Sequence, residues 1–355
     1  MQRRNFLKSL TGIGIGSFIP SIMSANSQSK IHNPRIHLKD PRIYPFFGPH
    51  QQGITTPPQK HIYFLVADLH TSSLEEIKEV FQIWTAYASN LTMGKNVAPY
   101  SNNPLIPTHD TGEADSLDPE YLTLTFGVSP SFFDKLNLQS LRPQALKDLP
   151  HFPRDQLKPE FSGGDLCIQS CANDPQVAFH AVRNLVRVAR SKITMKWSQM
   201  GFNSYQNSDT PRNLFAFKDG TANPKPKEYD KIVWVQSDDW LNNGSYLVVR
   251  KIQMHLETWD RTHLKGQNDT FGRKRDTGAA YGKNEEFEEV DIDARNKKGE
   301  YIIPEDSHMF LAKQAKLQIL RRSFSFASGI NPRTGQFDAG LLFISFQKDP
   351  AQFIA

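Results

Sequence analysis

Two kinds of hydrophobic spacing alternate along this chain of 355 residues. A continuous apolar run at residues 62–67, Ile-Tyr-Phe-Leu-Val-Ala, predicts a buried strand. Leu74, Ile77, Val80, Phe81, Trp84, Ala88 and Leu91 then recur at helical spacing, behind a capping box formed by Ser73 and Glu76. A loop marked by glycine and proline (94–118) leads to a strand at 121–128 and a short helix from Pro130. Proline-rich chain at 143–159 precedes a strand at 165–171. A second amphipathic helix follows, with Asp174 as cap, Pro175 at its first position, and Ala178, Ala181, Val182, Leu185 and Ala189 facing inward. Residues 193–200 close the unit. Strand–helix–strand, twice over, predicts an α+β protein with a ferredoxin-like split βαβ arrangement, an antiparallel sheet with helices packed outside it.

This first domain spans 61–205, and a second, 206–355, repeats the theme by element order, without any short-period sequence repeat. Its expected strands are a short aromatic one at 214–217, then 232–235, 245–257, 317–326 and 340–347. A polar helix or loop covers 262–275. The charged stretch 284–300, with Glu285, Glu286, Glu288, Glu289, Asp291 and Asp293, reads as a solvated loop. Residues 26–60 are rich in Pro, His and Gln without periodicity and read as an extended arm, ordered only where it lies on the body.

The first 25 residues stand apart from the fold. Arg3 and Arg4 precede a mildly apolar run broken by Gly12, Gly14, Gly16 and Pro20, the pattern of a Tat-type export signal that would send the protein to the periplasm. The run is too short and glycine-rich for a stable membrane span. Arg3, Arg4 and Lys8 supply three of the five net positive charges, so removal of this segment leaves +2. The basic balance therefore gives no support to a nucleic-acid partner. The Tat route carries folded proteins, which favours a cofactor inserted before export.

Cys167 and Cys171 fall in one expected strand, about 13 Å apart along extended chain, too far for a disulfide. They read as small apolar fillers. Among eleven histidines no His-x3-His or HExxH pair occurs, so a multi-histidine zinc site has no footing. A single axial histidine suffices for haem. His308 sits at a polar-to-apolar transition, between Pro304-Glu305-Asp306-Ser307 and Met309-Phe310-Leu311.

Two further stretches concentrate chemistry. Residues 213–224, Asn-Leu-Phe-Ala-Phe-Lys-Asp-Gly-Thr-Ala-Asn-Pro, hold Asp219 at the end of an aromatic segment, beside Gly220 with its bare backbone. Taken alone, Asp-Gly reads as an ordinary turn. Arg321 and Arg322 alternate in the expected strand 317–326, Arg322 on the face of Leu320, Phe324 and Phe326, Arg321 on that of Ser323 and Ser325. One guanidinium must enter a core or cavity and find a carboxylate or an anionic ligand there. A solvent-facing strand with a snorkelling arginine is the alternative.

The run Phe217-Lys218-Asp219-Gly220-Thr221-Ala222-Asn223-Pro224 resembles the distal motif of the dye-decolorizing (DyP-type) haem peroxidases. Trp259-Asp260-Arg261-Thr262, Phe271-Gly272-Arg273, Asp306-Ser307-His308 and Leu320-Arg321-Arg322-Ser323 follow in that family's order. The resemblance covers residues 61–347, and with the twin arginine it looks most like the exported deferrochelatase/peroxidase branch. Ala216 departs from it, standing where the family motif begins with glycine. The resemblance implies one haem b per chain in the C-terminal domain, with His308 as the iron ligand and Asp306 a candidate partner for its second ring nitrogen. It implies Asp219 as distal acid-base and Arg321 as the group that stabilises O–O cleavage. Gly220, Thr221 and Ala222 would lie against the porphyrin edge and Arg273 would reach a propionate. Hydrogen peroxide and a bulky organic reductant of dye or phenol type would be the substrates. The alternatives are a periplasmic deferrochelatase that frees iron and leaves the porphyrin intact, working with iron-uptake components, and a non-catalytic haem carrier. Ferredoxin-like pairs often join through sheet edges, which leaves a homodimer open.

Overall fold

The computed structural model describes residues 42–204 and 209–355; the twin-arginine segment and its cleavage point lie outside the described residues. Strands β1 (His61–Leu69), β2 (Thr123–Val128), β3 (Leu166–Ala172) and β4 (Ile193–Phe202) pair antiparallel in the order β2-β3-β1-β4. Helices Leu74–Thr92 and Pro175–Ala189 cover one face, the ferredoxin-like arrangement that the hydrophobic spacing predicts. Both caps form, but the box at Ser73 is only half made, because the Ser73 amide donates to Thr71 Oγ1 (3.0 Å) and the Glu76 carboxylate accepts from Thr71 and Lys192. Ser73 accepts from the Glu76 amide at 3.4 Å, and Asp174 from those of Gln176 (2.7 Å) and Val177 (3.1 Å). The continuous apolar run of β1 has a two-sided cause. Leu65, Ala67 and Leu69 face the helices, while Ile62, Phe64 and Val66 face a second core.

That second core also takes Phe324, Phe326, Leu342, Ile344 and Phe346 from the later strands. β5 (Tyr246–Gln253), β6 (Leu320–Arg321), β7 (Phe324–Ile330) and β8 (Phe337–Gln347) continue the same sheet, in the order β4-β7-β8-β5 with β6 beside β8. β1 and β8 are not neighbours in the sheet, so their side chains can share one core only if the sheet curls. The ladder between β4 and β7 is one pair long, Phe202 with Ser325, and side chains extend the seam, Asn203 donating to the Ser323 carbonyl at 3.1 Å and Gln199 to Ser328 at 3.2 Å. The arm seals the outer edge of β2. The Gln51 side chain exchanges hydrogen bonds with the Phe126 backbone, accepting at 2.8 Å and donating at 3.0 Å.

Three expected strands are corrected. Residues 232–235 form no strand, although Val235 exchanges backbone hydrogen bonds with Asn243 and Gly244 (2.8 Å each). Chain turns through the helix Tyr229–Ile232, and the amides of Val233 and Trp234 both bond the Tyr229 carbonyl (2.8 and 3.2 Å). Val233 and Trp234 are nevertheless buried, so the apolar run reported burial and not strand. The aromatic segment 214–217 is a turn with one isolated bridge, Arg212 to Lys218. The strand expected at 317–326 starts at Leu320 and is interrupted at 322–323, although β6 and β7 keep one register along β8. Both cysteines are free, and burial pushes the thiol pKa of Cys167 up to about 12 and that of Cys171 to about 11, which keeps them inert.

Candidate functional site

Asp219 is placed by a tight turn. The Asn213 side chain accepts from the amides of Phe215 (3.0 Å) and Phe217 (3.3 Å), and its own amide bonds the Phe217 carbonyl at 2.9 Å. The turn forces Ala216 to φ +68°, in the left-handed region. There Cβ crowds the following carbonyl at a cost of about 1–2 kcal/mol, which explains glycine as the natural occupant. Arg212 holds the strained residue by donating to the Ala216 carbonyl at 2.7 Å. Phe217 is buried in parallel contact with Phe271, centroids 4.1 Å apart, and Trp259 stacks on Phe215 at 4.4 Å. These four rings form one aromatic cluster that anchors the segment leading to Asp219. Gly220, at φ +124°, is demanded by conformation, since a Cβ would meet nothing closer than 3.5 Å.

Arg321 reaches Asp219 from β6, and the two form an ion pair in which the Asp219 side chain is 9% exposed. Alternation decides which arginine goes where. Arg322, on the apolar face, is buried, and its guanidinium donates to the Gln59 side chain and the backbone carbonyls of Thr56 and Pro57 in the arm. The expectation of a carboxylate or anionic ligand is therefore met by Arg321 and not by Arg322, whose charge is solvated by carbonyl oxygens. Asn223 aligns the pair. Its side chain donates to the Arg321 carbonyl at 2.8 Å and accepts from the Arg321 amide at 2.9 Å. Sequence reading did not single out Asn223, because its partner lies 98 residues away with no local signal.

His308 opens the helix His308–Gln314, capped by the buried Ser307 through the Phe310 amide at 3.3 Å. Behind the ring lies Phe271, centroids 6.0 Å apart. The Phe271-Gly272-Arg273 motif gains a physical reading here. Gly272 ends the helix Leu264–Phe271 at φ +71°, and a Cβ on it would stand 2.8 Å from Ser307 Oγ. Water reaches the His308 ring, yet the protein around it is dense enough that burial leads the effects lowering its proton affinity. The cations Arg321 and Arg273 lower it further and Asp219 opposes them, so all four groups share one electrostatic neighbourhood. The result is a neutral imidazole with a nitrogen free to ligate. Asp306, a candidate partner for that ring, is exposed and makes no hydrogen bond to it among the described residues.

The remaining expected residues fall as follows. Thr221 turns its hydroxyl to Glu286 at 2.8 Å, Ala222 is exposed, and Arg273 donates to the carbonyls of Gly278 (2.7 Å) and Glu286 (3.2 Å). Glu286 belongs to the stretch expected to be solvated, yet it is 8% exposed and pairs with Lys218 at 2.5 Å. Nothing in composition separates it from the acids around it. Two features of the site call for a further group. Among the described residues Arg321 Nε is buried without a partner, and the accessible His308 ring shares the electrostatic neighbourhood of the Asp219–Arg321 pair. A cavity of about 1920 Å³ lies elsewhere, lined by Phe64, Trp197, Leu247 and Arg250 among others. None of Asp219, His308 and Arg321 lines it, and two of the cations that do, Arg250 and Lys135, are paired with Asp155 and Asp165. Chemistry, not volume, locates the site.

Residues 51–203 match the family described as Dyp-type peroxidase, N-terminal, and residues 210–355 its C-terminal counterpart. Among characterised relatives, the deferrochelatase of Shigella sonnei (strain Ss046) is 35% identical, covering 98% of this chain and 86% of its own. That of Escherichia coli (strain K12) is 34% identical with the same coverage. Among solved structures, a DyP-type peroxidase from Streptomyces coelicolor superposes with TM-score 0.81 at 35% identity, over 88% of this chain and 86% of that one. One from Cellulomonas bogoriensis gives 0.80 at 32%, with the same coverage.

Proposed function

This chain belongs to the Dyp-type peroxidase family, oxidoreductases acting on peroxide, and on that premise we propose that Asp219, Arg321 and His308 are its working residues toward hydrogen peroxide. Haem is the cofactor, and the residues present fit it: His308 would offer an accessible nitrogen as ligand, and the buried Arg321 Nε, without a partner among the described residues, would offer a donor in the same neighbourhood. When bound, haem supplies the electrons that break the O–O bond and are later replaced by an organic reductant. Asp219 accepts the proton of the attacking peroxide oxygen and returns it to the oxygen that leaves as water. Arg321 offsets the negative charge that develops on the departing oxygen, and it is already oriented by its pairing with Asp219, so little reorganisation is needed. Arg273 stands near enough to add positive potential for an anionic edge of the cofactor.

The observation that carries this reading is the Asp219–Arg321 pair, since a haem carrier has no need of an acid-base group and a guanidinium together. On this reading the ferredoxin-like halves divide at residues 205–206, and the twin arginine supports export to the periplasm. A second reading rests on the name of the relatives at 34–35% identity: release of iron from haem with the porphyrin left intact, in concert with iron-uptake components.

Haem-loaded protein mixed with peroxide in a stopped-flow spectrometer tests the assignment. Asp219→Asn and Arg321→Leu each slow the change in the Soret band by about 100-fold or more with haem retained, and His308→Ala loses haem. Unaltered rates in the first two variants would return the protein to the carrier class. Metal-free porphyrin fluorescence without dye oxidation would select iron release.

A further inference from the structure

The stretch 284–300 does more than occupy solvent. Its one buried acid, Glu286, accepts from Lys218 Nζ at 2.5 Å and from Thr221 Oγ1 at 2.8 Å, residues on either side of Asp219. Its backbone carbonyl takes Arg273 Nη1 at 3.2 Å. Gly278 closes the other flank: a Cβ there would stand 2.8 Å from Lys218 Cδ and 3.4 Å from Glu286 Cγ. The same stretch grips the His308 helix. Val290 and Ile292 pack against the apolar cluster of Ala280, Ile303, Met309 and Phe310, and the Val290 carbonyl accepts from Lys313 at 3.1 Å. One segment thus touches both the loop bearing the carboxylate and the helix bearing the imidazole.

We propose that residues 284–300 form a clasp across the site and that Glu286 is the positioning residue of Asp219, fixing its loop from both sides through Lys218 and Thr221. The proposal rests on the peroxidase reading for its kinetic consequence but not for its structural one. Positioning matters here because a carboxylate that shuttles a proton between two adjacent oxygens tolerates little displacement. Burial alone would raise the Glu286 carboxyl, but hydrogen bonds from Lys218, Thr210 and Thr221 outweigh it and hold the carboxyl below the usual range, so the clasp stays closed through neutral pH and loosens only in acid.

The test uses the full chain with Glu286→Gln, which keeps an acceptor for Thr221 but removes the ion pair, and Glu286→Ala, which removes both. Amide hydrogen exchange of residues 214–224, measured by mass spectrometry without haem, becomes about 10-fold faster in the alanine variant and rises less in the glutamine one. With haem bound, the peroxide rate per haem falls about 10-fold or more in the alanine variant and loses its acid-side dependence on Glu286 in both. Adding Thr221→Val to Glu286→Ala causes little further loss, because both act through one contact. Exchange at the unaltered rate, or a lowered melting temperature with an unchanged peroxide rate per haem, overturns the proposal. Should the unaltered chain prove inert to peroxide, the proposed reaction falls and the exchange experiment alone decides the clasp.

Discussion

Ala216 shows how much a single Cβ can matter near a reacting group. Its φ of +68° is imposed by the turn that presents Asp219, so the chain carries strain at that residue that glycine would remove. Ala216→Gly should raise stability by about 0.5–1 kcal/mol, the relief of left-handed strain less the added freedom of glycine in the unfolded chain. A urea midpoint checks this, with the peroxide rate expected to stay within about twofold. A lower midpoint would mean that Cβ makes contacts worth more than the strain. The sequence marked the position, since Ala216 is where the motif departs from its family, but not the sign of φ, which depends on bonds from Asn213 and Arg212.

Among the elements, the short helix His308–Gln314 depends on its neighbour for its start. Ser307 caps it from a fully buried position, and Gly272 at the end of the preceding helix leaves room for that hydroxyl. Gly272→Ala combines a left-handed φ with a 2.8 Å approach to Ser307 Oγ. It should destabilise the protein by about 2–4 kcal/mol and weaken haem binding about 10-fold, read by thermal unfolding and haem titration. Ser307→Ala, which loses only the cap, should cost about 1 kcal/mol. Unchanged haem affinity in the glycine variant would show that the helix start is set elsewhere. The polar-to-apolar transition at residues 304–311 singled out His308 but not the helix it opens, and the abutting glycine was recognised only as part of a motif.

For the whole molecule, alternation sends two adjacent arginines to opposite faces of the sheet, and the curl gives each face its own task. Arg321 faces the site, while Arg322 crosses the inner core and ties down residues 56–59 of the arm. Arg322→Leu should therefore cost about 3 kcal/mol through unsatisfied carbonyls, and expose the arm near residues 56–59 to proteolysis. The peroxide rate per haem should hardly change. A variant that folds normally but reacts slowly would place Arg322 in the site instead.

What the sequence determined on its own is what local chemistry dictates. The period of the apolar residues set the helices and strands of the first half, Ser73 and Asp174 set helix starts, and alternation set the two arginines on opposite faces. Those signals are local because backbone geometry repeats every two or 3.6 residues. Tertiary structure alone decided that Glu286 is buried among more exposed acids, that Asn223 straps Arg321, and that the apolar run at 232–235 is buried without becoming a strand. Each of these depends on partners from distant parts of the chain, and a residue's own type carries no record of which distant group will come to meet it.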